Sequence, residues 1–405
     1  MAGWSEPARK VIDRCKRLAQ CTEEPGHVTR TFLSPPMREV HSLVREWMRQ
    51  AGLSVSVDAA GNIRGQRTTG TAPFYIGSHL DTVPRAGMYD GILGVMMGIA
   101  LAEHTNATLP LEIIGFSEEE GVRFGKPFIG SRAFTGDWPV EFASIEDANG
   151  ISIESALRSF GLDPAEIPQA RFDTRTPGYL EFHIEQGPVL ESNHRPLAIV
   201  NSIVGQSRLL FHFEGKANHA GTTPMNLRRD ALAGVAEWIQ SVESIAKETH
   251  GLVATVGTLD VKPGAGNVIP GVVLASLDVR HSSDAARLSA VERISNAAQN
   301  IAGRRGLRLD IDTLLDQPSV AMNPGLTFLL ADAIAACGIP LEHLNSGAGH
   351  DAMVIAPKVP SAMLFLRSPG GISHHPEETV LVADVTLGLQ AGEAFLSRLT
   401  AKGLL

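Results

Sequence analysis

Between about residues 205 and 322 the chain drops one pattern of elements and takes up another. Upstream, helical spacing over 8–20 and 36–51 is followed by β-rich runs at 53–57, 63–66 and 74–78. Small and apolar residues at helical spacing fill 91–103, and LEIIGF at 111–116 is an apolar strand. A helix at 152–160 and a strand at 179–184 come next. Strands alternating with helices through short connections predict an α/β domain with a largely parallel sheet. Within the interruption the order is strand 208–214, helix 227–249, strands 253–261 and 272–280, helix 285–302 and strand 307–314. That is the β-α-β-β-α-β order of a ferredoxin-like split unit. From 323 the α/β order resumes with helix 325–337, strand 360–366 and helix 385–399. The expected architecture is therefore α/β: a discontinuous main domain, 1–206 with 323–405, whose mixed, largely parallel sheet is flanked by helices, and an inserted α+β domain, 207–322.

The totals agree with two domains, since 405 residues exceed what one core usually holds. A hydrophobic share of 43% with 20% charged residues suits a folded globular chain. With 35 Lys and Arg against 44 Asp and Glu, the net charge of −9 argues against a nucleic-acid partner, which needs a basic face. Small anions stay open, because one arginine in a pocket can oppose the global sign. MAGWSEPARK carries no apolar segment behind its charges, so no secretory signal is expected. The longest apolar run, ILGVMMGIALA at 92–102, is too short to span a bilayer and reads as a buried helix. Cys15, Cys21 and Cys337 are odd in number and lack metal-type spacing, which predicts free thiols and a cytoplasmic location.

Three segments put acids and histidine where strands end. His79 and Asp81 follow the strand at 74–78, Asp90 precedes the helix at 92, and Glu118, Glu119 and Glu120 follow LEIIGF. In open α/β sheets ligands bind beyond the carboxyl ends of strands. Taken singly, each has a plainer explanation: a satisfied histidine, a helix cap, a solvated turn. Taken together they do not, because three glutamates directly after a buried strand repel one another, and a divalent cation relieves that. Alternation along 181–185 places Glu181, His183 and Glu185 on one strand face, an odd face for a core. His374 lies in the Gly-rich turn GGISHHPEE. Histidine with carboxylates suits zinc, or manganese where oxygen dominates.

At this point eight motifs stand in order: GSHLDTV, YDGILGV, FSEEEGVRF, EFHIEQGPVLE, NHAGTTPM, GNVIPG, SGAGHDAM and GISHHPEE. From about residue 25 to 400 the chain resembles the amidase branch of the di-zinc aminoacylase and carboxypeptidase clan, the branch of allantoate amidohydrolase and N-carbamoyl-L-amino-acid hydrolase. The resemblance implies two divalent ions per subunit, Zn or Mn. His79 and His183 would hold one, Glu120 and His374 the other, and Asp90 would bridge them. Asp81 would fix the tautomer of His79, and Glu119 would be the general base. A strained cis peptide at Asp90–Gly91 is also implied, at a cost of about 3 kcal/mol. Relatives often have Ser or Asn where this chain has His375, which leaves two imidazoles as candidates; His374, after Gly-Ile-Ser, is preferred.

The resemblance also supplies a substrate-holding set. Arg280 would clamp a carboxylate, Gln186 and Asn267 would contact substrate, and His219 would stabilise a developing oxyanion, in its own site or a partner's. His350 is placed beside the metals or the substrate. The inserted domain would act as a lid and dimerise, making a homodimer. The implied reaction removes the carbamoyl group of a small ureido acid, allantoate or an N-carbamoyl-L-amino acid, with release of ammonia and carbon dioxide. The alternative is a peptidase or N-acyl-amino-acid deacylase of the same clan. Against it stands His183, because most such relatives carry an acidic ligand there.

Overall fold

The computed structural model describes residues 3–67, 71–106 and 108–404. Its strands are, in chain order, β1 (Ser54–Val57), β2 (Ile63–Gln66), β3 (Phe74–His79), β4 (Leu111–Phe116), β5 (Tyr179–Ile184) and β6 (Leu197–Ile203). The inserted part carries β7 (Gly205–Glu214), β8 (Asn218–His219), β9 (Val253–Thr255), β10 (Leu259–Lys262), β11 (Val268–Ile269), β12 (Val272–His281) and β13 (Arg308–Gln317). The last part holds β14 (Val320–Ala321), β15 (His343–Ser346) and β16 (Ser361–Leu366). Two compact units result, Met1–Asn201 with Ala321–Leu405, and Ser202–Val320.

In the first unit the sheet runs β1-β2-β4-β3-β5-β16-β6-β14, with β15 also paired to β6. Its centre, β4-β3-β5-β16, is parallel. Every residue of these four strands is buried. That is why LEIIGF and SAMLFL read as continuous apolar runs rather than alternating ones. Antiparallel β2 and β6 flank this centre. Helices Ser5–Ala19, Pro35–Gln50, Ile92–His104, Pro324–Ala336 and Val382–Ala401 share one core with the sheet. The helix Ile92–His104 is buried from Ile92 to Ala102, as expected of a helix apolar on all sides. Gly94 lets it touch β5, because a Cβ there would lie 2.1 Å from the Phe182 carbonyl oxygen. β6 was not expected from the sequence, although six of its seven residues are buried.

The inserted unit is a one-sided antiparallel sheet, β10-β12-β7-β13, with β9 also paired to β12. Along β7 and β12 alternate residues are buried. Leu209, Phe211, Phe213, Val273, Leu277 and Val279 meet Trp238 and Ile294 of helices Ala231–Glu248 and Asp284–Arg305. The Trp238 ring lies 4.4 Å from that of Phe211. Burying each such side chain contributes about 1.5–3 kcal/mol. The expected strand at 253–261 is broken into β9 and β10. The expected helix at 227 begins only at Ala231, because the Asp230 carboxylate caps it by accepting the Ala233 N–H at 3.0 Å.

Candidate active site

The parallel centre of the sheet determines where the chemistry gathers. His79 is the last residue of β3, opposite Phe116, the last of β4. The glutamates 118–120 therefore leave the sheet beside Asp81. His183 is near the end of β5, opposite Phe365 of β16, and the segment after β16 carries His374. All of these groups emerge at the carboxyl ends of neighbouring parallel strands. Asp90 comes from the turn before Ile92–His104. Gly91, at φ +69°, makes that turn, and a Cβ on it would sit 2.4 Å from His79 Nε2. The Asp90–Gly91 peptide is trans, not cis as the resemblance implied; the left-handed glycine turns the chain instead.

Donor atoms converge in two triads that share Asp90. His79, Asp90 and His183 form one, Asp90, Glu120 and His374 the other, with donor atoms within 4.8 Å in each. His79 Nε2 and His183 Nε2 are 3.5 Å apart. Asp90 Oδ1 lies 4.0 Å from the first nitrogen and 3.3 Å from the second. His374 Nε2 is 3.1 Å from Asp90 Oδ2 and 3.6 Å from Glu120 Oε1. His375 points elsewhere and accepts the Glu377 N–H at 3.2 Å, which separates the two imidazoles that the sequence left open. The outer ring nitrogens are tied down: His79 Nδ1 faces the Asp81 carbonyl at 3.1 Å and its carboxylate at 3.4 Å. His183 Nδ1 faces the Ile184 carbonyl at 2.9 Å. Both rings thus turn Nε2 toward Asp90.

Asp81 does more than orient His79. Its two carboxylate oxygens accept the Glu119 and Glu120 N–H groups at 3.0 and 3.1 Å, so it also fixes the acidic turn. Glu119 joins His79 and Glu120 in a further donor group. Gln186 Nε2 donates to both Asp90 oxygens, at 3.1 and 3.0 Å. Gln186 (φ +59°) and His374 (φ +55°) both hold left-handed backbone. Such strain costs about 1–3 kcal/mol per residue and collects at functional sites. His350 is buried, with Nε2 2.7 Å from Ser346 Oγ and its ring 4.3 Å from the His183 ring. Glu181, which the sequence marked only as an odd face residue, accepts the Ala352 N–H at 2.8 Å and the Tyr179 hydroxyl at 3.0 Å. Asp351, which the sequence did not single out, is fully buried near these groups.

Burial and crowding set the protonation states. Burial, with Glu120, Asp351 and Asp81 adding repulsion against the pull of His79, raises the Glu119 carboxyl well above its ordinary range. Burial is also the main push on Glu120, which reaches about 7. Burial opposes the charged form of Asp90, yet the hydrogen bond from His374 and the nearby His183 and His79 hold it well below the usual carboxylate range. Burial takes His183 down to about 4, so its Nε2 lone pair is free near neutral pH. Burial works against a charged His79 too, but Asp81, Glu119 and Asp90 raise it well above its ordinary value. The donor set of imidazole and carboxylate fits a divalent cation.

The other expected residues lie in the inserted unit. β8 pairs with β11 so that His219 faces Val268, and the Asn267 carbonyl accepts the Ala220 N–H at 2.9 Å. His219 and Asn267 thus share one exposed ribbon. His219 Nδ1 accepts the Gly221 and Thr222 N–H groups at 3.0 and 3.2 Å, leaving Nε2 outward. Arg280 stands on β12, and its guanidinium is held by Asp278 through Nε at 2.8 Å and Nη2 at 3.1 Å. Asp278 also accepts from Gln206 and Arg208.

Residues 75–398 match the model of peptidase family M20/M25/M40, and the chain belongs to that family. It is 40% identical over 395 residues to the N-carbamoyl-L-amino acid amidohydrolase of Geobacillus stearothermophilus, spanning 94% of this chain and 96% of that one. To the allantoate deiminase of Arabidopsis thaliana it is 37% identical over 418 residues, 93% of this chain and 79% of that one. A hydantoinase/carbamoylase family amidase from Burkholderia multivorans superposes with a TM-score of 0.90 at 31% identity, covering 96% of this chain and 97% of the other. Among the described residues no helix is long and apolar enough to cross a membrane.

Proposed function

We propose that this chain is a metal-dependent amidohydrolase that hydrolyses the carbamoyl C–N bond of a small ureido acid, and that it works as a cytoplasmic homodimer with two divalent ions, Zn or Mn, in each subunit. The observation that carries this reading is the pair of donor triads meeting at Asp90. His79 and His183 would serve one ion, Glu120 and His374 the other, and Asp90 both. Two such ions supply Lewis acidity for a carbonyl that nitrogen lone pairs make a poor electrophile, and lower the pKa of water.

The chain's own residues do the rest. Glu119 takes the proton of the attacking water on its carboxylate and returns it to the departing nitrogen, a task suited to a buried carboxyl with a raised pKa. Asp81 holds the Glu119 backbone and keeps His79 in the tautomer that offers Nε2. His350 packs against the His183 ring and limits its rotation. Arg280, oriented by Asp278, offers a planar fork to the substrate carboxylate, while Asn267 and Gln186 contact its amide groups and His219 Nε2 meets the developing oxyanion. The inserted unit acts as lid and dimer surface in this scheme.

Relatives named for allantoate and for N-carbamoyl-L-amino acids are similar to this chain to nearly the same degree, so substrate choice within the class goes to assay. Protein stripped by chelator should release no ammonia from allantoate, ureidoglycolate, N-carbamoyl-alanine or N-carbamoyl-β-alanine. Manganese or zinc should restore release from at least one. Full turnover by stripped protein, or restored protein that cleaves only peptides or N-acyl amino acids, overturns the proposal.

A further inference from the structure

Glu378 belongs to neither donor triad, yet it touches the segments that deliver Asp90 and His374. It is buried to 2% exposure. Its Oε1 accepts the backbone N–H groups of Tyr89 and Asp90, at 2.9 and 3.1 Å. Its Oε2 accepts the hydroxyl of Ser373 at 3.2 Å, the residue before His374. Its own N–H donates to the His375 carbonyl at 3.0 Å. The opposite wall is shaped to admit it, since a Cβ on Gly87 would stand 2.3 Å from both Cβ and Oε1 of Glu378.

The geometry points to Glu378 as a positioning residue: one carboxylate fastens the turn that carries Asp90 to the turn that carries His374, and so sets the spacing of the Asp90–Glu120–His374 triad. Two successive backbone N–H groups converge on one carboxyl oxygen, so the Tyr89–Asp90 turn is held at two adjacent points. With the peptide of Asp90 fixed from behind, its carboxylate has only its own side-chain torsions left to find. The His374 side chain is half-exposed, and its Nε2 meets Asp90, Glu120 and Gln186, while no buried strand holds it, so its placement depends on its turn. Two of the three donors in this triad therefore hang on Glu378. In the other triad only Asp90 does, because His79 and His183 sit on β3 and β5.

The inference rests on the two-ion reading, and the test separates the two. Mn2+ binding to metal-stripped wild type, Glu378→Ala, Glu378→Gln and Ser373→Ala is measured by equilibrium dialysis, with circular dichroism as a check on folding. Wild type should take two ions per chain. Glu378→Ala should keep one tight ion and bind the second about 10–100-fold more weakly, the usual loss when a group that orients a ligand is removed. Glu378→Gln should recover most of that affinity, because its amide oxygen still accepts both N–H groups. Ser373→Ala should weaken the second ion in the same direction and less, and it serves if Glu378→Ala does not fold. Two ions of unchanged affinity in Glu378→Ala, or a Gln variant as damaged as the Ala variant, overturn the inference. A wild type that takes one ion overturns the two-ion reading instead, and the anchor role is then decided by whether that ion weakens in Glu378→Ala.

Discussion

The two units keep their polar residues in opposite surroundings. At the ends of β3, β4 and β5, His79, Asp81, Asp90, Glu119 and His183 are all buried, and burial together with close charged neighbours shifts His79, Asp90, Glu119 and His183. In the inserted unit His219 and Asn267 are exposed, and Arg280 keeps 30% of its side chain in solvent, paired with Asp278. Burying a charged group without a partner costs several kcal/mol, so a crowd of dry carboxylates marks a place where folding has been compromised for chemistry. A half-buried arginine paired on a strand carries no such mark. Its assignment depends on what a substrate needs, and this makes the first unit's site the firmer of the two.

Substitution of the base should widen that contrast most. Glu119→Gln is expected to lower turnover by about 10²–10⁴-fold. Metal content should hold, and the melting temperature should stay level or rise, since the variant removes an ionisable carboxyl that burial and the neighbouring Glu120, Asp351 and Asp81 disfavour in its charged form. A turnover number near wild type removes Glu119 from the base role. On the exposed side the expected effect is smaller and falls on KM. Arg280→Ala should raise KM for acidic substrates about 10–100-fold, the loss of one or two charged hydrogen bonds. The unfolding midpoint should move little, and Arg280→Lys should fall between, having the charge without the fork. An unchanged KM moves the carboxylate clamp to another residue.

Acid gives the gentlest test. His41, buried in helix Pro35–Gln50, is lowered from 6.5 to about 4 by burial first and then by Arg45 and Arg38. Between those values the unfolded chain binds a proton that the folded chain refuses. Stability from this group is therefore whole above about 6.5 and lost as pH falls toward 4, by at most about 3 kcal/mol. In the inserted unit the described groups with resolved shifts are Glu243 and Asp278, both lowered; their contribution is lost only at lower pH, as the carboxylates protonate. Urea unfolding of wild type and His41→Leu at pH 7 and pH 5 should show wild type losing stability relative to the variant as pH falls, since the raised carboxyls of the first unit are common to both. Equal slopes in wild type and variant would remove His41 as the cause.

Much of this was legible along the chain. The apolar runs at 111–116 and 360–366 gave two of the buried parallel strands, and alternation in 208–214 gave the one-sided sheet of the inserted unit. The acidic and imidazole residues were visible because they sit where an apolar strand stops. β6 was harder to see, since LAIVNSI mixes Asn and Ser into a buried run. The break between β9 and β10, and the start of the helix at Ala231, depended on single caps and pairings that periodicity does not record.

By itself the sequence determined which residue types would arrive at the carboxyl ends of the strands, because strand length and turn chemistry are local properties. Only the tertiary structure decided who meets whom. His79 and His183 are 104 positions apart and face each other at 3.5 Å; Asp81 grips a turn 38 positions away; Glu378 reaches the backbone of Asp90 across 288. No short-range pattern encodes such pairs. They exist because parallel strands, joined by long crossovers, bring remote turns to one edge of one sheet, where repulsion among buried carboxylates leaves few arrangements that can be satisfied.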